Sequence, residues 1–342
     1  MKKWYFSLCA GALLMAVALA GSLREAAAEA AEVRIAGVYG LINLPVYVAM
    51  EKHFVEKQAS AAGLPDVKVS FMVVSGGANA ADLILSNNVD VAAVSITNMM
   101  VLWDKTRTLK QRAVRGMMAL CDSPVFLITT DPRIKSLRDF KDTDRIAVTN
   151  IKTSIQAIVL GIASAKEFGW DQRFKLDPLT VAMPHADGMA AILSGNSEVK
   201  SQAAQLPFSL MEMESGKAHL ILNSTEALGG PANIGVAITT DGFRQGNPKL
   251  YAAVQAGLQD SIDYINNNMR DAAEIYVKYE PQKNGVDWIY NIVKNPELIS
   301  FSSTPHGTET IGDYIFKVGM LRNQPKSWKD FYWDEGQARP GN

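Results

Sequence analysis

The sequence predicts an α/β fold with two lobes, each a mostly parallel sheet flanked by helices. Segments with strand and helix periodicity alternate over residues 33–94, and the same alternation returns over 145–204. Strict alternation is typical of parallel strands joined by helices, and its repetition indicates two similar units. Two extended segments, 124–130 and 233–240, connect the units. Two such connections form a hinge, the usual device for closing around a ligand.

The first unit contains three predicted strands, at 33–36, 67–73 and 89–94. Apolar residues alternate along the second strand, which is the period of a half-buried strand. The third is an apolar run interrupted only by Asp90, as expected of a strand covered on both faces. Pro45 begins the first intervening helix, and Gly76-Gly77 separate the second strand from a helix at 78–85.

The second unit repeats this order as strand, helix, strand, helix, strand at 145–148, 153–168, 176–181, 187–193 and 199–204. Residues 84–88 (ILSNN) and 192–196 (ILSGN) match at the same place in the two units. After Thr240 the pattern is helical, with candidates at 248–267, 270–279, 286–293 and 308–321. We therefore expect a discontinuous lobe 1, of residues 33–122 and 236–342, and a lobe 2 of residues 125–232.

The first thirty residues have the layout of a secretory signal peptide. Lys2 and Lys3 are followed by a short apolar run, residues 8–20, and then by small residues that offer cleavage after Ala28 or Ala30. The run is too short to span a bilayer. We expect a signal peptide over 1–30 and an exported, periplasmic mature chain, with a retained N-terminal anchor as the alternative.

Composition excludes several classes of partner. The 342 residues carry a formal charge of −1 without a basic patch, so neither nucleic acid nor an anionic membrane is expected to bind. Cleavage would leave Cys121 as the only cysteine, which excludes an internal disulfide. Because Asp122 adjoins it and would raise the pKa of its thiol, we expect a buried structural cysteine.

Enzyme signatures are absent from the sequence. It contains no G-x-S-x-G, S-x-x-K, H-E-x-x-H or phosphate-loop motif, because Gly216-Lys217 is followed by Ala218 in place of a hydroxyl residue. The four histidines lie far apart, and none has a second ligand at metal-binding spacing. We expect surface or capping roles for His53, His185, His219 and His306. The sequence therefore predicts a non-enzyme without a metal or cofactor.

The loops that follow the predicted strands are suited to ligand binding. They combine one aromatic side chain with hydroxyls, amides and glycines at the starts of helices, where N–H groups and the helix dipole favour anions. In open α/β sheets this edge is where ligands bind. The alternative is that the hydroxyls only cap helices. The candidate ligand-binding residues are Tyr39, Asn43, Gly76, Gly77, Ala78, Ser95, Thr97, Asn98, Asn150, Lys152, Thr153, Ser154 and Gln202.

Four segments resemble the nitrate/sulfonate/taurine-type solute-binding proteins of ABC importers. They are 44–54 (LPVYVAMEKHF), 74–78 (VSGGA), 85–92 (LSNNVDVA) and 140–154. The resemblance implies a type II periplasmic binding protein, with a small-molecule ligand in an interlobe cleft and a permease in the inner membrane as partner. His53 and Asn87-Asn88 stand where the family favours glycine or a small-residue turn, and Lys200 replaces an aspartate.

Two ligand classes remain open from the sequence. The first is a small anion such as a sulfonate, a carboxylate or nitrate, bound mainly by backbone N–H groups. The second is a neutral heteroaromatic, such as a pyrimidine vitamin precursor, stacked on Tyr39 and hydrogen-bonded by Asn43, Asn98, Asn150 and Gln202. An alternative of another class is a pyrimidine-precursor enzyme on the same fold. The binding protein is expected to be a monomer.

Overall fold

The computed structural model describes residues 29–337 and 341–342. The predicted signal peptide falls outside them except for its last two residues, so it stays a prediction. In the described residues, ten strands form two five-stranded sheets: β1 (Glu32–Val38), β2 (Lys68–Val74), β3 (Val91–Ser95), β4 (Val114–Asp122), β5 (Phe126–Thr129), β6 (Arg145–Val148), β7 (Thr180–Ala182), β8 (Val199–Ala204), β9 (His219–Asn223) and β10 (Asn233–Thr240).

The two sheets have the same mixed topology. Their strand orders are β2-β1-β3-β10-β4 and β7-β6-β8-β5-β9. In the first sheet β1 is parallel to β2 and β3, while β10 is antiparallel to β3 and β4. In the second, β6 is parallel to β7 and β8, while β5 is antiparallel to β8 and β9.

The predicted α/β architecture of two mostly parallel sheets is confirmed, because in each sheet four of the five strands run in the same direction. The antiparallel members are β5 and β10, the strands that carry the chain from one sheet to the other. Each of these strands enters its sheet from the other sheet and does not follow a crossover helix of the local strand–helix–strand repeat. Since such a helix is what makes successive strands parallel, the direction of β5 and β10 is not fixed in this way. The proposed lobe boundaries remain a prediction.

Helices cover the sheets. Their bounds are Leu44–Glu51, Phe54–Ala61, Gly77–Leu85, Ile96–Thr106, Ile155–Phe168, His185–Ser194, Phe208–Glu214, Ser224–Leu228, Asp241–Gly246, Pro248–Asn267, Met269–Tyr279, Gly285–Val293 and Thr308–Lys317. No helix in the described part of the chain is long and apolar enough to span a membrane.

His53 and Asn87 occur where the family that the sequence resembles favours glycine or a small residue, and both adopt a left-handed backbone conformation. His53 has φ 54° and Asn87 has φ 58°. Glycine adopts this conformation at no steric cost, and asparagine tolerates it better than most residues. A left-handed backbone at these turns accounts for a preference for glycine or small residues there. His53 and Asn87 preserve the same backbone conformation.

The main hydrophobic core draws on both sheets and includes Cys121, and a smaller cluster of Ala147, Ile192 and Val199 is separate from it. The Cys121 side chain is fully buried, and burial, which disfavours the charged thiolate, raises the thiol pKa. The predicted buried structural cysteine is therefore confirmed.

A second buried group, the Glu280 carboxylate, accepts hydrogen bonds from Tyr47 Oη at 2.6 Å, Tyr276 Oη at 2.8 Å and the Gly40 N–H at 3.0 Å. It ties the C-terminal helices to the loop after β1.

Candidate functional site

A cavity of about 90 Å³ lies where loops from the two sheets meet. A volume of about 10–15 Å³ holds one water, so the space suits a solute of a few heavy atoms. Its wall is formed by Val38, Tyr39, Ile42, Val74, Ser75, Gly76, Gly77, Ser95, Asn98, Thr149, Asn150, Ser154, Ile155, Gln156, Pro184, His185, Ala186, Gln205 and Phe208.

The two sides of the cavity approach each other closely. A Cβ built on Gly76, after β2, would lie 3.7 Å from Asn150 Nδ2, after β6. A Cβ built on Gly40 would lie 3.3 Å from the carbonyl oxygen of Leu206. Loops that follow the first sheet's strands thus meet loops that follow the second sheet's strands, as the topology rule for ligand sites in α/β folds requires.

Four helices of eight or more residues begin beside the cavity, and the capping of their N-termini differs. Ser95 Oγ accepts from the Asn98 N–H at 3.5 Å, and Ser154 Oγ accepts from the Ala157 N–H at 3.3 Å. The helices that begin at Gly77 and at His185 have no side-chain cap. Ser95 and Ser154 therefore act as helix caps, which was the alternative to a role in ligand binding. The helices that begin at Gly77 and His185 leave N–H donors for another acceptor.

Gly77 allows Asn98 to approach the first of these uncapped ends. A Cβ on Gly77 would lie 2.6 Å from Asn98 Oδ1, so any larger residue must displace that side chain. Asn98 Oδ1 also accepts from Ser95 Oγ at 2.5 Å. With its oxygen engaged, Asn98 has its Nδ2 donors left for a ligand.

The opposite wall centres on His185, with Gln156 and Gln205 beside it in the lining and Gln202 buried behind it. His185 Nε2 lies 3.2 Å from Gln156 Nε2 and 3.4 Å from Gln205 Oε1, and its Nδ1 lies 3.4 Å from Gln202 Nε2. The imidazole stacks on Phe208, with ring centroids 5.6 Å apart and planes 20° apart. Burial lowers the pKa of His185 to about 4, so the ring is neutral at neutral pH.

The part of the wall that the structure describes carries no formal charge at neutral pH. Its lining residues include no Lys, Arg, Asp or Glu. Buried donors and acceptors nevertheless remain without partners in the described structure, among them Gln205 Nε2 and Gln202 Oε1. Within residues 29–337 and 341–342, no group of three or more His, Cys, Asp or Glu side chains could hold a metal ion.

Seven of the thirteen candidate residues from the sequence line this cavity. They are Tyr39, Gly76, Gly77, Ser95, Asn98, Asn150 and Ser154. The side chain of Tyr39 is 60% exposed and available to a ligand.

Six candidates lie outside the lining. Asn43 is fully buried and donates to the carbonyl oxygen of Val38, and Thr97 is fully buried beside Ser95. Gln202 is buried behind His185. Ala78 and Thr153 are exposed, and Lys152 faces a different cavity.

Sequence reasoning missed His185, Gln156, Gln205 and Phe208. The expectation that His185 is a surface or capping residue is wrong, because its half-buried ring lines the cavity. The strand-end rule could have found it, since Pro184 and His185 follow β7 and begin a helix. Gln156 lies inside the helix Ile155–Phe168, beyond the loop that follows β6, and Gln205 and Phe208 follow β8.

Neither a protein-family model nor a curated protein sequence matches the chain. Solved structures share its fold. A protein from Bordetella bronchiseptica RB50 is 20% identical over 90% of this chain and 96% of that one, with a TM-score of 0.69. The alkanesulfonate-binding protein SsuA from Xanthomonas axonopodis pv. citri, bound to MOPS, is 14% identical over 90% and 99%, with a TM-score of 0.69.

A third similar structure is the periplasmic nitrate-binding protein NrtA from Synechocystis PCC 6803, which is 15% identical over 88% of this chain and 84% of that one, with a TM-score of 0.66. Such identities establish the fold and leave the ligand open. The resemblance seen in the sequence is thereby confirmed at the level of architecture. The chain has the two-lobed α/β fold of the periplasmic binding proteins.

Proposed function

We propose that this protein is an exported receptor that captures a small anionic solute between its lobes and delivers it to an ABC importer. The observation that carries the proposal is the pair of uncapped helix N-termini, at Gly77 and His185, bordering one cavity. Such ends bind anions through N–H donors and the helix dipole without a fixed cation. The similar folds of the sulfonate- and nitrate-binding proteins support the receptor role.

The wall chemistry narrows the solute further. A zwitterion would bring an ammonium group to a wall whose described residues supply no carboxylate, at the cost of burying an unpaired charge. A sulfonate, a carboxylate or a nitrate-like anion has no such group. In the proposed complex the N–H groups at Gly77 and Ala78 and the Asn98 amide hold the anion, and Tyr39 covers it.

The remaining parts of the proposal follow from this role. The protein acts in the periplasm as a monomer, its two lobes close on the solute, and its partner is a permease in the inner membrane. It performs no reaction. Cys121, the one cysteine in the described residues, is buried in the core and does not line the cavity, unlike the cysteines expected near the site of a pyrimidine-precursor enzyme.

A thermal-shift screen of the mature protein tests the proposal. Sulfonates, carboxylates, nitrate and neutral pyrimidines are added separately, since a ligand that binds the folded state raises the melting temperature. We expect stabilisation by at least one anion. A response to pyrimidines alone would favour the neutral heteroaromatic ligand, for which the stacked His185 and Phe208 rings provide a surface. No response in either class would contradict the receptor role.

Calorimetric titration of the stabilising anion then locates its site. Asn98→Ala removes the amide donors, and a lost hydrogen bond to a charged group costs about 1.5–3 kcal/mol, so we expect affinity to fall at least tenfold. Asn88→Ala, an exposed asparagine outside the cavity, is the matched control and should bind as the parent does. Equal affinities for both variants would place the site elsewhere.

A further inference from the structure

A second and larger cavity, of about 470 Å³, lies between segments associated with the two sheets. One side comes from the second unit, and the other comes from the C-terminal helix Thr308–Lys317 and the turn after it. The helix Ile155–Phe168 contributes Gln156 to the first cavity and Ile158 to this one. Among the residues that line it are Lys152, Ile158, Phe174, Asp177, Tyr314 and Met320.

Lys152 and Asp177 are the two charged side chains of this wall. In the described part of the chain, neither side chain forms a salt bridge or a side-chain hydrogen bond. Burial raises the pKa of Asp177, and the positive charge of Lys152 partly offsets that rise. Lys152 also stands in left-handed backbone, with φ 65°. The cavity thus presents a cation and a half-buried anion that no salt bridge among the described residues engages.

The rest of the wall is apolar apart from one hydroxyl. Phe174 remains 42% exposed, and so does the neighbouring Trp170, whose ring meets the edge of Tyr314 at a centroid distance of 5.9 Å. Burial raises the pKa of Tyr314 to about 12, so its hydroxyl stays protonated and can donate a hydrogen bond. Aromatic and aliphatic surface therefore surrounds two opposite charges.

We propose that this cavity binds a free amino acid with an apolar side chain. Its carboxylate pairs with Lys152, its ammonium group pairs with Asp177, and its side chain packs against Phe174 and Met320. A zwitterion is the ligand that satisfies both charges, and it differs in class from the anion proposed for the cleft. Because the wall belongs to both sides of the molecule, the occupant bridges them and favours closure, an effect that rests on the proposed function.

Calorimetric titration with L-phenylalanine up to its solubility limit, on the mature protein without a cleft ligand, tests the proposal. Phenethylamine lacks the carboxylate and 3-phenylpropanoate lacks the ammonium group. We expect L-phenylalanine to bind at least tenfold more tightly than either, since each analogue leaves one charge unpaired. No binding of L-phenylalanine, or equal binding of all three compounds, would overturn the proposal.

Variants assign the binding to this cavity. Lys152→Met and Asp177→Asn should each lower the affinity for L-phenylalanine at least tenfold, while Lys152→Arg should retain it. Asp171→Asn, an exposed carboxylate on the same segment, is the matched control. If Asn98→Ala abolished the binding and Lys152→Met did not, the amino acid would occupy the cleft, which would overturn this inference. Failure here leaves the anion screen of the cleft untouched, so the two proposals fail separately.

Discussion

Two buried glutamates show how differently a carboxylate can be accommodated. Glu280, 4% exposed, accepts hydrogen bonds from two tyrosines and from the Gly40 N–H. Glu212 is fully buried, and both of its carboxyl oxygens lack a partner in the described structure. Burial alone raises the pKa of Glu212 to about 8. Glu212 is therefore held protonated at neutral pH, whereas Glu280 positions the loop that carries Tyr39.

Glu212 makes stability fall as pH rises. Below about pH 4.5 the group is protonated in both the folded and the unfolded chain. Between about pH 4.5 and 8 the unfolded chain releases the proton and the folded chain keeps it, so unfolding becomes easier as pH increases. At about 1.4 kcal/mol per pKa unit, the free energy of unfolding falls by on the order of 5 kcal/mol across this window.

Glu212→Gln removes that dependence. We expect the variant to be more stable than the parent at about pH 8 and similar to it at about pH 5, as measured by urea denaturation at both values. Glu198→Gln, an exposed glutamate, controls for the loss of a charge. A Glu212→Gln stability difference that is the same at both pH values would contradict the burial of an ionisable group there.

At the scale of the element, the sequence was most informative where its periodicity was strong. Most helices and strands of the two repeats were found within a few residues of their observed bounds, because apolar spacing records which face is buried. The predicted strand 176–181 is an exception, since residues 177–179 form a 3-10 turn and the strand covers only Thr180–Ala182. The strand β4 (Val114–Asp122) and the helix Ile96–Thr106 were missed. Both are buried over most of their length, so neither shows the contrast between two faces on which a periodicity argument depends.

The candidate site was predictable only in part, for a related reason. The positions of strand ends and glycines identified seven of the lining residues. Whether a side chain near the start of a helix points into the cavity or into the protein depends on tertiary packing, which the sequence pattern does not record. Asn43, Thr97 and Gln202 have the right chemistry, but they point into the protein. His185 was underestimated because its isolation in the sequence excludes a metal site and not a ligand site.

The helix start at Gly77 yields a test that needs no ligand. A Cβ at this position would lie 2.6 Å from Asn98 Oδ1, whereas a Cβ at Gly76 would lie 3.7 Å from its nearest neighbour. We expect Gly77→Ala to lower the free energy of unfolding by about 1–3 kcal/mol through overpacking, and Gly76→Ala to cost less. Urea denaturation of the two variants measures the difference. Equal stabilities would show that Asn98 moves aside freely.

At the scale of the whole molecule, a few side chains join the two proposed lobes outside the cleft. Trp288 Nε1 donates to Glu214 Oε2 at 2.5 Å. Glu214 ends the short helix whose first residue, Phe208, lines the cavity. The same helix therefore reaches the cavity at one end and the helix Gly285–Val293 at the other, and we propose that this contact couples closure of the lobes to contact with the solute.

Loss of this contact should open the molecule. We expect Glu214→Ala to increase the radius of gyration of the unliganded protein in small-angle scattering and to weaken solute binding several-fold, because the binding-competent closed form becomes rarer. Glu297→Ala, an exposed glutamate elsewhere in the C-terminal region, should change neither quantity. An unchanged radius for Glu214→Ala would exclude the contact as a determinant of closure.

The placement of β10 also sets an order for folding. All strands of the second sheet lie in one continuous stretch, 126–223, whereas in the first sheet Val91 of β3 pairs with Thr239 of β10. A growing chain can thus complete the hydrogen bonds of its second sheet first. Until residue 240 has been made, β3 keeps an unpaired edge, which is the kind of surface that leads to aggregation. The half of the protein that is synthesised first is the half that finishes folding last.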